Sequence, residues 1–74
     1  MNTKYYIYGE RPVYLEEKKK GIPRYYAFQW ESGNFKEDMS YFRKISNDIS
    51  GEAEEVSKDE FENYTNRLKK EKGL

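Results

Sequence analysis

The chain has 74 residues, 14 basic and 14 acidic side chains, and neither cysteine nor histidine. A chain of this length supports one domain with one thin core, because it buries only about 60% of the surface its unfolded form exposes. The missing cysteine and histidine exclude a disulfide framework, a thiolate metal site, the commonest transition-metal ligand and the usual general base.

Residues 4–8, KYYIY, are aromatic and β-branched and stop at Gly9, which predicts a first strand. Gly9-Glu10-Arg11-Pro12 suits a turn, and residues 12–16, PVYLE, follow as a second strand with Val13 and Leu15 on one face. Residues 17–23, EKKKGIP, form a charged loop. Residues 24–31, RYYAFQWE, are the densest aromatic run and alternate as a third strand, closing at Ser32-Gly33-Asn34. Short connections between consecutive strands predict an antiparallel meander.

Residues 34–46 carry two readings. Phe35, Met39, Phe42 and Ile45 recur at helical spacings, with Asn34 placed to cap and Glu37 at the reciprocal position. The same stretch also reads as a fourth strand over residues 39–46, rich in aromatic and β-branched side chains, and that reading is preferred. Residues 47–55 form a polar, acidic connection.

The sharpest local signal is Val56-Ser57-Lys58-Asp59-Glu60-Phe61. Ser57 is an N-cap, Glu60 completes a capping box, and Val56 against Phe61 makes a hydrophobic staple. A helix over residues 58–70 follows, with one apolar stripe of Phe61, Tyr64 and Leu68 and basic residues at its negative end. The expected fold is α+β, a small three- to four-stranded antiparallel β-meander with one C-terminal α-helix packed on one face, spanning residues 1–74 as a single domain.

Strand alternation gives the functional expectation. With Ile7, Val13, Leu15, Tyr26, Phe28 and Trp30 against the helix, the other face holds Tyr6, Tyr8, Tyr14, Tyr25, Ala27 and Gln29. Tyrosine loses little entropy when fixed and is enriched at interfaces, so this face is a candidate partner-binding surface. Each tyrosine taken singly is as well explained as a strand former whose hydroxyl tolerates water. Charge is sorted along the chain: residues 47–62 hold one basic and seven acidic side chains. Asp48, Glu52, Glu54 and Glu55 of that segment would steer a partner, although the acids near residue 60 also answer the helix dipole. The spacing is not that of an EF-hand.

With no Gly-rich phosphate loop and no base beside any serine, an enzyme is not expected, nor any catalytic residue, cofactor or metal. The leading reading is a small protein-binding module, an inhibitor or modulator of another protein. Its lysine-, asparagine- and tyrosine-rich usage suits a bacterial, phage or mobile-element accessory of immunity or antitoxin type. The alternative is a nucleic-acid-binding module that stacks bases on sheet aromatics and contacts phosphates through Arg11, Lys18, Lys19, Lys20 and Arg24. Zero net charge disfavours it. Homodimerisation through the tyrosine face is a third reading. No apolar run approaches the ~18–20 residues that span a bilayer, which predicts a cytoplasmic protein without membrane association.

Overall fold

The register of the first hairpin decides which side chains share a face. The computed structural model describes residues 2–18, 21–48 and 51–73. Strand β1 (Asn2–Tyr8) pairs antiparallel with β2 (Arg11–Glu17), Tyr8 standing opposite Arg11 across a loop of only Gly9 and Glu10. Gly9 supplies a φ of 62° at the first loop position, a conformation that two-residue hairpins need and that glycine adopts without strain. So short a loop leaves no slack, and it places Val13 beside Tyr6 and Tyr14 beside Tyr5.

The meander continues through β3 (Arg24–Phe28) and β4 (Phe35–Glu37), each antiparallel to its predecessor. The chain then forms helix α1 (Ser40–Ser46), returns as β5 (Ala53–Val56) along the free edge of β1, and ends in helix α2 (Lys58–Glu71). The result is a small α+β domain with a five-stranded antiparallel sheet in the order β4-β3-β2-β1-β5 and the C-terminal helix packed on it.

One predicted element is corrected. Residues 39–46 do not form a strand: Ser40–Ser46 are helical, and the strand beside β3 is the shorter Phe35–Glu37. Asp38 turns the chain between them, its Oδ1 accepting from the Ser40 backbone N–H at 3.0 Å. The Ser40 hydroxyl donates to the same oxygen, and this bond, with the backbone one, holds the Asp38 carboxyl below its ordinary pKa. Once β4 has taken the β3 edge, Tyr41, Phe42 and Ile45 find their apolar partners on the sheet face instead of within the sheet. Strand β5 takes up the end of the segment expected to be a plain acidic connection, residues 47–55, and runs one residue past it to Val56.

Helix α2 starts as the sequence foretells. Ser57 is its N-cap, and Ser57 Oγ accepts from the Glu60 N–H at 3.1 Å, a contact of a kind worth about 1 kcal/mol.

Each helix covers one sheet face. Beneath α1 lie Val13, Leu15, Tyr25 and Ala27, closed over by Tyr41 and flanked by Tyr6, Tyr8, Phe42 and Ile45. Beneath α2 lies an aromatic layer in which Phe61 meets Tyr5 at 4.9 Å, Tyr14 at 6.2 Å and Phe35 at 5.6 Å between ring centroids. Phe28 joins it against Trp30 and Phe35, and Lys72 sits 5.0 Å over the Trp30 ring. The expected face assignment is therefore corrected. Val13 and Leu15 lie opposite Ile7, Tyr26 and Phe28, because a one-residue difference in register exchanges faces.

Candidate functional site

The tyrosines expected on one open face are divided between two. Tyr25 is 4% exposed, its ring edge-on to Phe42 at 6.0 Å, so it belongs to the core. Tyr6 and Tyr8 are half-buried beside α1, with Tyr8 edge-on to Tyr41 at 5.5 Å. Gln29 serves the β3–β4 turn: its amide donates to the Ala27 carbonyl, and its backbone carbonyl accepts from Ser32 and Gly33. Tyr14 points to the α2 face, away from the other three.

The acidic residues divide as well. Asp48 accepts from the backbone N–H groups of Glu52 and Ala53 at 3.0 and 2.9 Å, tying the chain into β5. Glu52 gives its backbone carbonyl to Gly9. Glu54 and Glu55 are exposed on the edge strand, where charge discourages pairing with a second sheet. Glu55 stands opposite Tyr6, so tyrosine and acid do meet along the β1–β5 border.

Of the basic residues, Arg11 is spent internally. Its Nε donates to the Phe28 carbonyl at 2.7 Å and its Nη1 to the Tyr41 hydroxyl at 3.1 Å. Arg24 is exposed and paired with Glu37 at 2.8 Å. Lys18 is exposed, while Lys19 and Lys20 lie outside the described residues.

The best-formed surface is on the α2 face. Tyr14 and Tyr26 stack at 4.9 Å with their planes 20° apart, and Tyr14 meets Phe35 edge-on at 5.1 Å. Tyr5, Tyr14, Tyr26 and Phe35 are half-buried, so α2 covers this layer only in part. Two hollows flank Phe61 and Glu62. One, of about 380 Å³, runs between Phe35 and the α2 residues Thr65, Asn66 and Lys69. The other, of about 290 Å³, opens on Tyr5 and Tyr14. A third, of about 390 Å³, lies between Trp30 and Leu68 toward the far end of α2. Tyr5, Tyr26, Phe35 and Phe61 were not expected to share a surface with Tyr14. The Gly9-Glu10 loop fixes the register that sets Tyr14 beside Tyr5, and the β2–β3 and β3–β4 pairings add Tyr26 and Phe35 to the same face.

Burial raises the phenol pKa values of Tyr6, Tyr14 and Tyr64 above the ordinary 10.0, with Glu55, Glu16 and Glu10 respectively adding to the effect. Tyr64 also donates its hydroxyl to the Glu10 carbonyl at 2.7 Å, which needs the neutral form. The native state therefore keeps protons that the unfolded chain has begun to release. Stability from these groups is whole below about pH 10 and is lost as pH rises through the higher native values. Alkaline titration of the phenolate ultraviolet band should show a late component that ionises together with loss of the far-ultraviolet circular dichroism. Ionisation of all eight tyrosines in one step before any unfolding would contradict this.

Among the described residues, no group of three or more acidic side chains is placed to hold a metal ion, and no helix is long and apolar enough to cross a membrane. No protein-family model, curated protein or solved structure matches the chain.

Proposed function

We propose that the protein is a small non-catalytic binding module that occludes part of another protein's surface through the half of the α2 face that the helix leaves open. The observation that carries this reading is the stacked Tyr14–Tyr26 pair, set between Tyr5 and Phe35 and reached from solvent beside Phe61. Half-buried aromatic rings held by their neighbours give contact area without a large ordering cost, as protein interfaces require. The acidic segment around residues 47–62 supplies a field that orients a basic partner. An inhibitor or modulator of bacterial or phage origin, working in the cytoplasm, is the class to which such a module fits.

Nucleic acid is the weaker candidate partner, because Arg11 is engaged with Phe28 and Tyr41, and Arg24 with Glu37. The test is affinity capture from bacterial lysate with the wild-type chain and with Tyr14→Ser/Tyr26→Ser, whose folding is checked by circular dichroism. Capture is run with and without nuclease and ~0.5 M salt, where exposed charge contacts are mostly screened. A stoichiometric protein that survives both treatments and is lost in the double variant is the expected result. Equal capture by the variant would remove this surface from the account. Loss of every partner under nuclease would put nucleic acid in first place, and recovery of the chain's own second copy would make the face a homodimer contact.

A further inference from the structure

The smaller hollow beside Phe61 carries more chemical information than the aromatic face as a whole, because carboxylates meet rings there. Its lining is Thr3, Tyr5, Tyr14, Glu16, Phe61 and Glu62. The floor is three rings, with Phe61 at 4.9 Å from Tyr5 and perpendicular to Tyr14 at 6.2 Å. Strand β2 contributes Glu16 to the lining and helix α2 contributes Glu62. Neither carboxylate forms an ion pair within the described residues. Arg24 stands opposite Glu16 across the β2–β3 ladder, yet it turns its guanidinium to Glu37 at 2.8 Å. Two acids on a wet surface need no partner; the aromatic floor they share is what sets this pair apart.

The chemistry narrows the occupant. An anion is repelled by both carboxylates and by the negative faces of the rings. A purely apolar group would strip water from two charges and return nothing. A cation on an apolar stem answers both parts: the stem lies on the rings, and the charge meets ring faces and carboxylates together. We infer that this cup receives an arginine or lysine side chain of the protein partner, the stem against Tyr5 and Phe61 and the charge between Glu16 and Glu62. The inference rests on the reading of this face as a protein-binding surface. Arginine suits the site better, since its planar guanidinium stacks on a ring while donating to carboxylates on both sides.

The experiment is a chemical-shift titration of the full chain with N-acetyl-arginine amide, run beside N-acetyl-citrulline amide and tetramethylammonium. Saturable shifts at the Thr3, Tyr14, Glu16, Phe61 and Glu62 amides are expected, with a millimolar Kd suited to one exposed charge contact. Citrulline, of similar shape without the charge, should show no saturation. Glu16→Gln/Glu62→Gln should weaken arginine amide binding about fivefold or more, while its unperturbed spectrum elsewhere reports an intact fold. No saturable shift, equal binding of citrulline, or no change in the double variant would overturn the inference. Tighter binding of tetramethylammonium than of arginine amide would also overturn it, in favour of a free quaternary ammonium ligand. The capture experiment fails separately. A partner lost with Tyr14→Ser/Tyr26→Ser but retained with Glu16→Gln/Glu62→Gln keeps the binding face and removes the basic side chain.

Discussion

Phe28→Ala is expected to remove roughly half of the folding free energy. Phe28 is 0% exposed and is among the largest fully buried side chains. It stands at the corner of the aromatic layer, edge-on to Trp30 at 5.5 Å and to Phe35 at 5.7 Å. Truncating such a ring costs about 3–5 kcal/mol, part lost transfer energy and part cavity. At ~0.05–0.15 kcal/mol per residue, a chain of 74 residues holds only about 4–11 kcal/mol in all. A sheet one layer deep has little material with which to refill the hole. In urea the midpoint should fall steeply while the slope of the transition stays constant, since the surface exposed on unfolding barely changes. A loss below about 1 kcal/mol would show that Trp30 and Phe35 collapse into the space, and that the layer is less fixed than its geometry implies.

Tyr41→Ala should detach α1 from the sheet. Seven residues cannot sustain a helix alone, because nucleation costs more than so few hydrogen bonds return. Phe42 and Ile45 flank the contact, and its centre is the Tyr41 ring, 4% exposed, edge-on to Tyr8, with Lys44 4.6 Å above it and Arg11 donating to its hydroxyl. Without the ring, Val13, Leu15, Tyr25 and Ala27 lose their cover, and a cost of about 3–5 kcal/mol is expected. Tyr41→Phe keeps the cover and loses only the bond from Arg11, about 0.5–1.5 kcal/mol. Amide hydrogen exchange separates the two cases. In Tyr41→Ala the amides of residues 40–46 should exchange through local opening, well ahead of the strands. Protection at residues 40–46 equal to that of β2 in the alanine variant would contradict this account.

Local signals were legible in the sequence, and pairings between distant segments were not. Ser57, Glu60 and Phe61 announce α2 because capping acts over three or four residues, and the helix begins where they place it. The first three strands are read from their aromatic alternation for the same reason. The face that each strand turns to α2 was not legible from alternation alone, since parity passes from strand to strand through loop length. Counting Gly9 and Glu10 as the entire loop would have set Val13 with Tyr6 and moved Tyr14 beneath α2. Residues 34–46 misled because Tyr41, Phe42 and Ile45 serve a strand or a short helix equally well. The choice was made by Phe35–Glu37 occupying the β3 edge. Strand β5 escaped notice because Glu54 and Glu55 look like loop residues; on an edge strand their charges point into water.

The return of β5 to β1 has a consequence for how the protein is made. Tyr8 pairs with Ala53, 45 positions further along the chain. At a synthesis rate of ~5–20 residues per second, β5 is made about 2–9 seconds after β1. Until β5 docks, the meander offers an open row of backbone donors and acceptors beside Tyr6, Ile7 and Tyr8. Such an edge is a template for strand addition by any other nascent chain. A chain cut short before Ala53 would carry that open edge for its whole lifetime.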